Sequence, residues 1–263
     1  MTSLTKRALV TGGGKRLGRA MATYLGRRGF DVAVHYASSE EGAQAVAEEI
    51  TYMGPRAVAL QANLLSEDDS KALVAQSAEA LGGPLGVLIN NASIFEYDTI
   101  ESATRDSWDR HMESNLRAPF VLTQAFAAQV EEPLRDDMDE PLARGLVVNM
   151  IDQRVRKLTP EFMTYTLAKA GLWTLTQTAA RGLAPRIRVN AIGPGPTLRG
   201  ARQSEAHFAA QRQSTILERG ANRSDIVGAL GYFLEAYAVT GQLLCVDGGQ
   251  HLPWRTPSIL GTE

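Results

Sequence analysis

The run Ala8-Leu9-Val10-Thr11-Gly12-Gly13-Gly14-Lys15-Arg16-Leu17-Gly18 decides the fold. Three apolar residues read as a buried strand, a glycine-rich turn follows, and residues 17–28 then show helical spacing. Glycines let the backbone turn tightly and approach a pyrophosphate, while the unpaired N–H groups at a helix start attract the anion. A turn that serves packing alone explains the same glycines, and the spacing is not G-x-G-x-x-G. On this run by itself the two readings are balanced.

Outward from it, short β-rich runs recur at 32–34, 57–60, 87–89, 146–150, 187–192 and 243–246. Helical patterns lie between them at 40–52, 66–81, 107–130, 160–182 and 224–237. Ser66 is placed to cap one of these helices, with Asp69 complementing its positive end. Strand–helix alternation requires parallel strands joined by right-handed crossovers. The expectation is a single-domain, Rossmann-like, doubly wound α/β fold of about seven strands with helices on both faces. Two stretches interrupt the pattern. Residues 131–145, with Pro133, Pro141 and six acidic side chains, read as a solvated loop, since Leu142 stands where a calcium loop counted from Asp137 needs glycine. Residues 197–220 are polar and read as a lid over substrate, and 253–263 as a tail that could order against another subunit.

Composition narrows the function. The 263 residues carry 27 basic and 29 acidic side chains, a net charge of −2 with signs interspersed, so no stripe exists to track nucleic-acid phosphates. No apolar run approaches the roughly 18 residues of a membrane span. The single cysteine, Cys245, cannot form an internal disulfide and reads as a small core hydrophobe in a reducing compartment, so a cytoplasmic protein is expected. Histidines 35, 111, 207 and 251 have no paired spacing, and no metal site is expected.

Where NAD enzymes place an acid on the ribose 2′-hydroxyl, this chain has His35-Tyr36-Ala37-Ser38-Ser39, with no carboxylate before Glu40. Ser38 and Ser39 can donate to a 2′-phosphate and Lys15 or Arg16 can neutralise it, which favours NADP(H). Surface roles for Lys15 and Arg16 are the plainer alternative, and Arg16 has reach to phosphate, substrate or both.

Tyr165 and Lys169 stand four apart, hence on one helical face, where the ammonium can lower the phenol's pKa. Such pairs are common on ordinary helices, so the upstream loop gives this one its weight. Asp152 follows the fifth strand of the main sheet, on the rim where parallel sheets bind ligands, and can touch substrate or cap a loop. Pro119 denies the Asn115 carbonyl its helical donor, leaving it to a water that could reach Lys169, or to a simple kink.

From about Lys6 to Leu252 this assembly resembles the short-chain dehydrogenase/reductase family. The resemblance rests on the 11–18 loop, Asn90-Asn91-Ala92-Ser93, Asn115, Tyr165-x-x-x-Lys169, Pro194-Gly195-Pro196-Thr197 and Asp247-Gly248-Gly249. It implies one domain over 1–263, a homotetramer, Tyr165 as general acid, Lys169 on the nicotinamide ribose and Asn115 anchoring a proton relay. It also implies cofactor contacts at Gly12, Lys15, Arg16, Leu17, His35, Tyr36, Ser38, Ser39, Asn63, Leu64, Asn91, Ala92, Ser93 and Met150. Pro194, Gly195 and Thr197 would cradle the nicotinamide.

Three departures narrow the resemblance. Arg16 replaces the loop's middle glycine, Ser93 replaces a glycine, and Asp152 stands where most members have serine. With Leu17, Phe95 and His35-Tyr36 these resemble pteridine reductases, and the ending is similar to the dihydromonapterin reductase branch. By that resemblance Phe95 stacks a pterin on nicotinamide, Arg16 and Ser93 hold pterin and cofactor phosphates, and Asp152 bonds the pterin and assists Tyr165. A core-packing Phe95 is the alternative. Ala37 and Ser38 depart from the more basic segment of some pteridine reductases. The leading expectation is NADPH-dependent reduction of a pterin C=N bond. A carbonyl reductase of a ketone or 3-oxoacyl substrate comes second. An NADP-sensing protein without catalysis comes third, against which the intact Tyr165 and Lys169 argue.

Overall fold

The structure, a computed structural model, describes residues 4–200 and 203–254. In chain order its first half runs β1 (Arg7–Val10), α1 (Arg16–Arg27), β2 (Asp31–Tyr36), α2 (Glu40–Tyr52), β3 (Ala57–Gln61), α3 (Glu67–Leu81) and β4 (Val87–Asn90). Then come α4 (Arg105–Met112), α5 (Ala118–Gln129), β5 (Leu134–Arg135), β6 (Pro141–Leu142) and β7 (Gly145–Met150). The last elements are α6 (Met163–Leu183), β8 (Ile187–Pro194), α7 (Glu205–Gln213), α8 (Arg223–Glu235) and β9 (Leu243–Val246).

Seven strands pair in the order β3-β2-β1-β4-β7-β8-β9, every pair parallel. The period-2 alternation of each strand divides its side chains between two helical layers. Ala8 and Val10 join Val32, Val34, Ile89 and Val148 against α1, α2 and α8, while Leu9, Leu88 and Val147 face α3, α5 and α6. Each fully buried Leu or Ile contributes roughly 1.5–3 kcal/mol of transfer free energy. The result is a single-domain α/β, Rossmann-like fold. The chain reverses its direction of winding between β1 and β4, the switch point where such sheets open a crevice at their C-terminal edge. None of the described helices is long and apolar enough to cross a membrane.

Local chemistry sets the element ends. Ser66 Oγ accepts from Asp69 N at 3.3 Å and donates to Asp69 Oδ1 at 3.1 Å, and α3 stops at Gly82, whose φ of +77° suits glycine. The helix expected over 107–130 is interrupted by a π turn at Glu113–Arg117, where the Ala118 N–H reaches back five residues to the Glu113 carbonyl. Pro119, with no N–H to give, sits in the first turn of α5, and the wider turn carries the chain past it. The stretch 131–145, expected as a loop, contains the exposed antiparallel β5–β6 ribbon. Its turn is held by Asp136 Oδ1, which accepts from Met138 N and Glu140 N at 2.9 Å each. Residues 197–220 contain α7, begun by Ser204 Oγ accepting from His207 N at 3.1 Å. No α7 residue is buried, so no apolar period marks it. Arg212 ties both ends of this excursion, donating through Nη1 to Pro196 O at 2.8 Å and through Nη2 to Gly220 O at 3.0 Å. Of the tail expected at 253–263, residues 255–263 lie outside the described residues, as do 201–202 of the lid. Cys245 is half-buried, and burial pushes its thiol up to about 11, so it is inert at neutral pH.

Candidate active site

The glycine loop is built by its neighbours. Gly12 adopts φ +62°, its N–H donates to His35 Nδ1 at 3.0 Å, and Gly13 N donates to His35 O at 2.9 Å. His35 Nε2 lies 3.1 Å from Ala62 O, so the ring proton is assigned to Nε2, and burial lowers the His35 pKa and keeps the ring neutral. Asn91 Nδ2 donates to Thr11 O at 2.8 Å and Gly12 O at 3.2 Å, while Thr11 Oγ1 accepts from Asn91 N at 2.9 Å and Ala92 N at 3.0 Å. A Cβ on Gly18 would stand 2.1 Å from Gly12 O. The chain itself therefore requires some of these glycines. The other half of the balance is also present: α1 starts with no side-chain cap and no acidic residue in its first turn, beside the exposed Lys15 and Arg16. First-turn N–H groups flanked by cations suit a phosphate.

The other residues expected to contact the cofactor sit along the same strand ends. Ser38 is exposed between β2 and α2, and Ser39 begins α2 without using its hydroxyl as a cap. Asn63, after β3, accepts from Leu65 N at 3.1 Å, and Leu64 is buried. Pro194, Gly195 and Thr197 follow β8. Gly195 is pressed so closely on Asp247 that an added Cβ would stand 2.5 Å from the Asp247 Cβ. Arg16, at φ +52°, points across the crevice and donates to Leu198 O and Arg199 O at 3.1 Å each. It joins the glycine loop to the start of the 197–220 segment.

At the other end, α6 presents Tyr165 and Lys169 on one buried face. Tyr165 Oη donates to Asp152 Oδ2 at 3.0 Å, and Asp152 Oδ1 accepts from Arg154 N at 2.8 Å. Lys169 Nζ donates to Met150 O at 2.8 Å and sits 5.7 Å from the Tyr165 ring centroid. Burial raises the Asp152 pKa despite the Arg154 N–H and the charges of Arg154 and Lys169. Burial, then the Asp152 charge, pushes the Tyr165 phenol well above its ordinary value. This corrects the expectation that Lys169 makes the phenol more acidic: desolvation and the adjacent carboxylate outweigh a cation that faces the ring and a carbonyl. Tyr165 is a protonated phenol at neutral pH, the form a proton donor needs.

Asn115 is fully buried, and its carboxamide clasps Ile94, accepting from its N–H at 2.9 Å and donating to its carbonyl at 2.8 Å. It thereby fixes the loop that carries Ser93 and Phe95. Phe95 is 46% exposed, which excludes a core role. Its ring stacks on Phe162 at 4.3 Å and 8° and meets Tyr165 edge-on at 4.7 Å. Arg154 lies 5.1 Å from the Phe162 ring centroid. Phe162 and Arg154 escaped the sequence reading. Phe162 stands just before α6 at φ +55°, so helical spacing does not mark it.

A family profile described as short chain dehydrogenase matches residues 6–209. The chain is a short-chain dehydrogenase. This dehydrogenase is similar to the crystal structure of FolM alternative dihydrofolate reductase 1 from Brucella suis in complex with NADP. That match has 41% identity and a TM-score of 0.90, over 98% of this chain and 100% of that one. A short-chain dehydrogenase from Burkholderia cenocepacia in complex with NADP matches at 33% identity and TM-score 0.85, over 95% of this chain and 99% of that one. The 3-oxoacyl-[acyl-carrier-protein] reductase FabG of Staphylococcus aureus is 33% identical over 254 residues, covering 95% of this chain and 99% of that protein.

One measurable consequence follows from Lys169. Burial lowers its pKa to about 8, against the opposing charge of Asp152. The ammonium is intact below that value and lost as pH rises through it. If turnover needs the cation, initial rates between pH 6 and 10 are expected to show kcat/KM falling about tenfold per pH unit above roughly 8. The Tyr165 phenol titrates too high to produce this limb. Lys169→Arg, which stays charged, is expected to abolish it.

Proposed function

We propose that this dehydrogenase is an NADPH-dependent reductase of a pterin C=N bond. The observation that carries the reading is Asp152 in hydrogen bond with the Tyr165 hydroxyl, beside the exposed face of Phe95. A nitrogen-rich heterocycle presents ring N–H and amino donors, which a carboxylate accepts better than a serine does. When bound, NADPH supplies the hydride. Lys15 and Arg16 with the uncapped start of α1 would hold its phosphates, Ser38 and Ser39 its 2′-phosphate, and Pro194, Gly195 and Thr197 its nicotinamide end. Tyr165 gives its proton to the pterin nitrogen as negative charge develops there. The Asp152 carboxylate accepts from the Tyr165 hydroxyl and from the ring and amino donors of the pterin, and the phenolate left by the transfer takes its replacement proton from solvent. Lys169 holds the Met150 carbonyl and keeps a positive charge under the Tyr165 ring. Phe95 offers a flat apolar face for the substrate, and Ser93 borders it. The 197–220 segment acts as the lid, and the dehydrogenase works as a cytoplasmic homotetramer.

The test follows NADPH oxidation with dihydrobiopterin, dihydromonapterin, a ketone panel and a 3-oxoacyl thioester. Pterin kcat/KM is expected to exceed that of the carbonyl substrates by about 10²-fold or more. Turnover of carbonyl substrates alone would establish the FabG-like alternative instead. Tighter binding of NADH than of NADPH would overturn the cofactor assignment.

A further inference from the structure

A buried polar cluster beneath the reacting pair takes no part in the chemistry above. His111 in α4 is fully buried, and its two ring nitrogens make bonds of opposite sense. Nε2 accepts from the Glu96 backbone N–H at 3.1 Å, and Nδ1 lies 2.7 Å from Thr164 Oγ1. Glu96 directly follows Phe95, and Thr164 directly precedes Tyr165. The imidazole also packs edge-on to the Tyr165 ring, with centroids 6.0 Å apart at 73°.

The protons of this cluster can be assigned. The hydroxyls of Thr164 and Ser107 both donate to Asp98 Oδ2, and Thr164 N donates to Asp98 Oδ1 at 3.1 Å. Burial alone would raise the Asp98 pKa, but these donors outweigh it and hold the group as a carboxylate. Having given its proton to Asp98, the Thr164 oxygen accepts from His111, so Nδ1 carries the ring proton and Nε2 stays open to Glu96. The charged groups facing the ring are Asp98, Glu96 and Arg110, and burial outweighs the two carboxylates and keeps the imidazole neutral.

We propose that His111 is a positioning residue that fixes Phe95 relative to Tyr165. The two rings come from distant parts of the chain, the loop after β4 and the start of α6, yet both must meet one flat substrate. One rigid ring spans the backbone beside the first and the residue beside the second. Displacements near 1 Å at such a site cost about 10²-fold in rate. The inference rests on the pterin reading only for the choice of substrate assayed.

The test compares His111→Leu, His111→Gln and Thr164→Val with the parent. Leucine is expected to raise pterin KM and lower kcat, together about 10²-fold in kcat/KM, while the NADPH Kd stays within about twofold. Glutamine offers one acceptor and one donor, as the neutral ring does, and is expected to return kcat/KM to within about fivefold of the parent. Thr164→Val removes the bridging hydroxyl and is expected to repeat the leucine result. Parental kcat and KM in the leucine variant would overturn the proposal. If that variant does not fold, equal kinetics in the glutamine and valine variants would overturn it. Failure of the pterin reading would show in the parent, as carbonyl turnover without pterin turnover. Failure of the positioning role would show only in the variants, scored on whichever substrate the parent reduces.

Discussion

Tyr165→Phe is expected to lower turnover about 10³-fold while NADPH affinity changes by no more than about twofold. Phenylalanine keeps the ring that Phe95 meets at 4.7 Å and His111 at 6.0 Å, so the packing of the crevice survives. What disappears is the proton that Tyr165 holds against Asp152. Because the phenol's pKa is raised, it is a reservoir rather than a phenolate base at neutral pH, and the loss falls on kcat. Steady-state rates and a fluorescence titration with NADPH separate the two quantities. Turnover within tenfold of the parent would remove Tyr165 from the chemistry.

Asp152→Ser separates the two candidate reactions. Pterin kcat/KM is expected to fall about 10²-fold, because the charged acceptor for the ring and amino donors goes. Carbonyl reduction is expected to persist at or above the parental rate. Removing the carboxylate takes away a charge that raises the Tyr165 pKa, which then moves toward its ordinary value. The phenol remains protonated at neutral pH and still donates. Equal losses on both substrate classes would mean that Asp152 supports Tyr165 without reading the heterocycle.

Much of this was legible in the sequence, for identifiable reasons. The strands were readable because a sheet covered on both faces writes continuous apolar runs, as in Leu146 to Val148. Tyr165 and Lys169 were readable because helical spacing alone puts them on one face. The π turn left only an indirect trace in Pro119, since propensity distinguishes turn widths poorly. Helix α7 left none, having no buried face. The direction of the Tyr165 shift was misread because spacing shows neighbours but not burial, and burial dominates. Phe162, His111 and Thr164 were silent for another reason: their partners lie far along the chain, and no local pattern encodes a contact between α4, α6 and the loop after β4.

The turn at Glu113–Arg117 holds one residue more than an α-helix would, so α4 and α5 are clocked against each other by about 100°. With that residue lost, α4 would turn by about 100° against α5, and the His111 imidazole and Asn115 amide would swing out of register with the crevice. Leu122 and Phe126 could meanwhile stay seated in the core. The surplus residue works as a gearing step between two halves of one helical rod.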